Sequence, residues 1–404
     1  MIICLRMMVL LTTSFVGCKP ESLDTVRHQQ EWTLSEVNRI GTLDEPGTSL
    51  TRITDALLAA DGTLLVLQPV ENMIRVFTPD GAPRTIIGRR GGGPGEFTSL
   101  KSFGWHEDGL YAVDISTGRI SLFDVSGKLI EDWSPSLQVP EDQTFPPVAW
   151  SMLSEGRILV NARQAMRARV DGTGVPERFF VTDLDGAVRS DGFELSTINS
   201  RFAIRNPNNP FTGYFDSQPL TDDPLLATHP AGEFIVIVER GVGGVEAGDS
   251  AGVRIHRIVP HGDTAWTRTL AVPAVAISRA SRDSIVDPII ERVRGARGPG
   301  LNPAQLEAAL MEVLYQPDVY PPVERVMVGY EGHVWLEMKT MEDRPSGWLV
   351  LDEQGRTVAR ASGAPDGTEL LDHRGGQAVG VMTDELDVPY LVRFEINIGD
   401  AGGG

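Results

Sequence analysis

This sequence predicts an all-β fold, a six-bladed β-propeller with a helical insertion between its late blades. Three observations carry that expectation. Gly62, Gly109 and Gly156 each lie 47 residues from the next, and Gly81 and Gly127 lie 46 apart. A period in the forties with several short strands per unit is the signature of a propeller blade. Within each unit a Gly turn, an apolar strand, a polar turn and a second apolar strand recur, as in "DGTLLVLQPVENMIRVFTPDG" from Asp61 and "DGLYAVDISTGRISLFDVSG" from Asp108. Finally, 43 glycines and 27 prolines among 404 residues favour many turns.

The N-terminus is a separate element. Arg6 precedes an apolar run from Met7 to Gly17, which suits the core of a signal peptide and is too short to span a bilayer. The run ends in "FVGC", which resembles a bacterial lipobox, with Phe15 where Leu is usual. The resemblance implies a lipoprotein signal peptide over 1–17, lipidation at Cys18, and export to a bacterial membrane, most simply the outer membrane. Cys4 and Cys18 are the only cysteines, so the mature chain would have no disulfide and no thiol chemistry. The polar stretch 18–30 reads as a lipidated flexible tether. A formal charge of −19 disfavours nucleic-acid partners, because phosphate contacts need clustered Lys and Arg.

The propeller is expected over 31–397, with 398–404 as a disordered tail. The strand-like segment Glu31–Leu43 lacks a blade of its own and is expected to complete the last blade and close the ring. After the three regular units come looser ones, beginning near Ala231, Glu331 and Gly375. Two gaps interrupt the period: 76 residues from Gly156 to Gly232 and 100 from Gly232 to Gly332. The first contains 196–224, rich in Asn, Pro and aromatics, and reads as a long loop. The second contains a helical insertion over 279–318. There "LNPAQLEAALMEVL" places Asn302 as N-cap, Pro303 at the first helical position, and Leu306, Leu310 and Val313 or Leu314 on one face. An earlier helix with Ile285, Ile289 or Ile290 and Val293 on one face is limited at its start by Pro288.

"GRRGGGPGEF" (Gly88–Phe97) could be a phosphate cradle or a connector. A P-loop needs Gly-Lys-Ser/Thr entering a helix, whereas here Pro-Gly-Glu-Phe leads into strand-type sequence. The connector reading follows, with Phe97 packed between blades, and Arg89 and Arg90 remain as candidate anion binders. With Asp108-Gly109, Ala112-Val113-Asp114, Arg119-Ile120 and Phe123-Asp124 behind it, this segment resembles an NHL repeat, well over 88–133 and less well over 53–87. The chain as a whole resembles six-bladed propeller lipoproteins of bacteria.

Two function classes follow from that resemblance. One is a binding or interaction module for a protein, peptide or glycan. The other is a metal-dependent lyase or lactonase with its site at the channel mouth. Residues ending the strand after each Gly turn, Gln68, Asp114, Asn161, Glu239 and Glu337, are the candidates to meet there and could hold a hard cation such as Ca2+ through oxygen ligands. No histidine pair has helical metal-site spacing and no GxSxG is present. The seven tryptophans read as packing between blades.

Overall fold

The computed structural model describes residues 21–22, 30–42, 47–107, 109–138, 146–162, 176–190, 192–196, 201–206, 208–242, 250–295, 300–339 and 347–399. Six four-stranded antiparallel units follow one another: blade 1 (55–87), blade 2 (100–133), blade 3 (148–195), blade 4 (225–273), blade 5 (323–362) and blade 6 (369–398). Blade 6 supplies only three strands from its own range. Its fourth is Gln30–Ile40, which pairs antiparallel with Pro389–Ile398, with Leu34 opposite Ile396. The N-terminal strand therefore closes the ring as expected. It also runs parallel to the outer strand of blade 5, with Trp32 opposite Ala361, so blades 5 and 6 share one hydrogen-bonded sheet.

The Gly turns at 62, 109, 156, 232, 332 and 375–376 all join the first strand of a blade to its second. Second strands of four blades are buried along nearly their whole length: "LLVLQ" and "GLYAVD" at every position, "RILVNA" and "VWLEM" at all but one. Such strands are packed on both faces by neighbouring blades and so read as continuous apolar runs. The core is divided accordingly into slabs between blades. Leu67, Ile74, Phe97, Phe103 and Phe123 pack between blades 1 and 2, and Trp32, Trp335, Trp348 and Phe394 between blades 5 and 6. Side-chain to backbone hydrogen bonds also join neighbouring blades. Asn72 Oδ1 accepts from Leu100 N at 2.9 Å, and Asp372 Oδ2 accepts from Leu58 N at 2.8 Å across the closure.

The glycine-rich segment is a connector held by side chains. Phe97 is fully buried, and its ring lies where a Cβ on Gly88 (φ 76°) would sit. Glu96 takes the N–H of Gly93 at 2.8 Å and pairs with Arg89 at 2.6 Å. Arg90 donates to the Val70 carbonyl at 3.1 Å, and Arg119 to those of Gly92 and Glu96.

Two expectations need correction. The stretch read as a long loop contains a hairpin, Arg201–Asn206 paired with Asn209–Ser217. Helix α1 (Arg279–Arg294) runs through Pro288 rather than starting there, capped by Ser278, whose hydroxyl accepts from Ser281 N at 3.0 Å. Helix α2 (Pro303–Val313) has the expected N-cap Asn302, and Gln305 adds a reciprocal bond: the two exchange side-chain to backbone hydrogen bonds, each at 3.0 Å. Phe202 and Ile204 of the hairpin, Val286, Ile289 and Val293 of α1, and Leu306 and Leu310 of α2 form one apolar core outside the blades. The two insertions are thus one cap with its own core. Both leave the outer strand of one blade and return to the inner strand of the next, so the cap stands on the face where inner strands begin.

Cys18 and the proposed signal peptide lie outside the described residues, as do 400–404. Within the segment read as a tether, Glu21 and Ser22 pair in parallel with Leu270 and Ala271 on the outer edge of blade 4. No helix among the described residues is long and apolar enough to cross a membrane.

Candidate functional site: a central cup

The inner strands of all six blades line a cavity of about 380 Å³ on the ring axis, within the size range of small-molecule sites. Its wall carries Asp55 and Leu57 from blade 1, Phe103 from blade 2 and Trp150 from blade 3. Leu226 comes from blade 4, Arg325 from blade 5 and Glu369 from blade 6. One end is floored by the Gly turn of blade 4. Pro230 O accepts from Trp105 N of blade 2 at 2.8 Å, and Gly232 O from Ser154 N of blade 3 at 2.9 Å. His229 reaches the Tyr330 carbonyl of blade 5 at 2.9 Å. Burial lowers the His229 pKa, so the ring is neutral: Nε2–H donates to Tyr330 O, and Nδ1 accepts from Ala231 N at 3.2 Å. A turn tied to blades 2, 3 and 5 must cross the axis, so the cavity is a cup whose mouth lies at the starts of the inner strands.

The mouth is charged. Arg325 Nη1 sits 2.8 Å from Glu337 Oε2, and its Nε 3.8 Å from Glu369 Oε1. Lys339 pairs with Glu324 at 2.7 Å. Lys101 stands over the Trp150 ring, 4.8 Å from its centre. Burial pushes the Asp55 carboxyl up to about 7, reinforced by Glu369 and opposed by the Ala56 N–H and Lys101. Burial likewise raises Glu337 above the usual carboxylate range, against the pull of Arg325. Tyr111, buried on the wall, is pushed upward by burial and by Asp55, so its phenol stays protonated.

The five residues expected at the mouth lie one strand outward from it. All five sit on second strands, about 4.8 Å from the inner ones. The structure brings one to the mouth, Glu337, through Arg325. Gln68 is buried and donates to Thr51 Oγ1 at 3.0 Å. Asp114 accepts from the backbone N–H groups of Thr98 (2.6 Å), Ser116 (2.9 Å) and Thr117 (3.3 Å). Burial would raise its pKa, yet those donors hold it below the ordinary value. Asn161 is buried opposite Val148, and Glu239 pairs with Arg254 at 3.0 Å. These oxygens serve turns and local pairs and do not fit a shared cation. Among the described residues, no group of three or more His, Cys, Asp or Glu could hold a metal ion. Asp55, Arg325 and Glu369 were missed because the strand before each Gly turn, not the one after it, faces the axis. "TDALLAADG", "VERVMVGYEG" and "ELLDHRGG" carried the signal.

Blades, closure and cup define a six-bladed β-propeller. Residues 42–140 match a family model, DUF5128, described as a 6-bladed beta-propeller. Among solved structures, a member of the DUF4221 family from Bacteroides vulgatus is similar at 12% identity and TM-score 0.50, over 92% of this chain and 100% of that one. A virginiamycin B lyase from Staphylococcus aureus, in its inactive form with quinupristin, matches at 12% identity and TM-score 0.41, over 90% and 99%. A gluconolactonase from Xanthomonas campestris matches at 11% identity and TM-score 0.38, over 84% and 83%. These likenesses speak to the fold alone. A comparison with curated protein sequences finds no match.

Proposed function

We propose that this chain is a binding propeller of the bacterial cell envelope, tethered through a lipid on Cys18, that takes a small ligand into its central cup. The observation that carries the reading is the cup itself: all six blades contribute wall, one turn floors it, and charged side chains ring the open end. A ligand entering there meets apolar wall below and Asp55, Arg325 and Glu369 above, the mixed lining by which pockets combine affinity with orientation. The lyase or lactonase reading rests on the oxygens expected to meet at the mouth, and Gln68, Asp114 and Glu239 are engaged instead by Thr51, by turn N–H groups and by Arg254. Membrane attachment rests on the N-terminal sequence.

The test replaces Ala227, a small residue on the cup wall that also packs on the apolar slab between blades 4 and 5, with Trp, and a thermal melt establishes that the variant folds. Ligands found by thermal-shift screening against the wild type should lose their stabilising effect in Ala227→Trp. Ligands that still act on that variant would move the site out of the cup. For the anchor, Cys18→Ser should abolish incorporation of labelled palmitate in cells, and unchanged labelling would remove the lipid from the account.

A further inference from the structure

Resting on the cup as the ligand site, we propose that its ligand is a small primary amine, with the ammonium held by Asp55 and Glu369 and a hydrogen-bonding group on its body meeting Ser151.

The pairing of charges at the mouth points to a cation. Glu324 is engaged by Lys339 and Glu337 by Arg325, at 2.7 and 2.8 Å. That leaves Glu369, which only approaches Arg325 at 3.8 Å, and Asp55. Asp55 Oδ1 accepts the Ala56 N–H at 2.9 Å, while its Oδ2 has no partner among the described residues. Lys101 offsets one of these two carboxylates, so the mouth keeps an excess of one negative charge when both are ionised. A carboxylate ligand would face that excess, and Arg325 is already held by Glu337 at 2.8 Å.

Deeper in the cup a second observation points to a ligand. Ser151 is on the wall and only 2 % exposed, and its hydroxyl has no partner among the described residues. An unpaired buried hydroxyl carries a desolvation cost that a ligand donor or acceptor relieves. The neighbouring Ser102 is not available for this, because it donates to the Trp150 carbonyl at 2.6 Å. Between mouth and floor the wall is Leu57, Phe103, Trp150, Val326 and Met327, which suits a compact apolar body. The inferred ligand therefore has three parts in sequence: ammonium, apolar middle, hydrogen-bonding end.

The experiment is titration calorimetry on the full chain with three probes that share one body: tyramine, tyrosol and 4-hydroxyphenylacetate. They end in an ammonium, a hydroxyl and a carboxylate. A parallel set on an alkyl body guards against a poor fit of the ring. Amines should bind saturably and about tenfold or more tighter than their alcohols. Asp55→Asn should lose about that factor, Ser151→Ala a smaller one, and Ala227→Trp all binding. Circular dichroism melts establish that each variant is folded, and Asp55→Glu should recover part of the loss. Alcohols or carboxylates that bind as well as the amines, with Ala227→Trp still blocking them, would overturn the amine and leave the cup. Amine binding that Asp55→Asn and Glu369→Gln do not weaken would also overturn it. If no probe of any class gives binding sensitive to Ala227→Trp, the amine and the cup fall together.

Discussion

Replacing Asp55 with Asn should stabilise the protein at alkaline pH and remove part of its pH dependence. The carboxyl titrates near 3.8 in an unfolded chain and is pushed up to about 7 in the fold, chiefly by burial. A group whose pKa rises on folding favours the folded state when protonated. Its contribution is complete below pH 3.8 and is lost as pH rises to 7; above that, the fold carries a costly charge. Three units at about 1.4 kcal/mol each give a ceiling of about 4 kcal/mol. Asn carries no charge at any pH, and its amide oxygen can still accept the Ala56 N–H. Asp372, also buried and raised, titrates beside it, so the readout is the difference between wild type and variant at each pH. Urea denaturation at about pH 4.5, 6 and 8 measures it, with slopes near 1.4 kcal/mol per pH unit at most. A stability difference that is the same at all three pH values would refute the perturbed carboxyl.

Three further substitutions probe other parts of the molecule. Burial holds His373 down at about 4, with Glu331 opposing and His333 adding to the shift. The unfolded chain therefore binds this proton first, and stability is lost as pH falls from 6.5 toward 4. His373→Gln should remove up to about 3 kcal/mol of that loss, visible as a flatter acid limb in the same urea series. Gly88→Ala forces a left-handed residue and drives a methyl into the Phe97 ring, so the melting temperature should fall by the equivalent of about 2 kcal/mol or more. An unchanged melt would mean the connector repacks freely. Leu310→Ala empties a fully buried site in the cap at a cost of about 2–5 kcal/mol. Hydrogen exchange should then quicken in α1, α2 and the 201–217 hairpin while the blades keep their protection, and equal loss across all six blades would contradict a separate cap core.

Much of the local structure was legible because it is written in nearest neighbours along the chain. The α2 start needs only Asn302 and Pro303, and the structure uses both. Phe97 behind Pro94 and Gly95 announced a connector, and its ring fills the slab between blades 1 and 2. The hairpin at 201–217 was less legible, since its apolar residues Phe202 and Ile204 find their partners some 80 to 110 positions later in α1 and α2. Pro288 misled for a related reason: the missing N–H costs little enough that packing of Val286, Ile289 and Val293 keeps the helix intact.

The sequence by itself determined the blade, its period and the closing strand, because each depends on alternation, turn chemistry and spacing within some 50 residues. It also carried the N-terminal "FVGC" on which the envelope reading rests. Only the tertiary structure decided which strand of each blade faces the axis, and with it the site. The second strands are the most apolar runs, yet they lie one strand away from the axis, and position relative to a ring axis is a property of six blades together. Asp114 and Asp55 both precede polar turns or follow them closely, yet one is spent on backbone N–H groups and the other opens into the cup. The floor was equally hidden: Trp105 and Pro230, 125 residues apart, meet only when the ring closes.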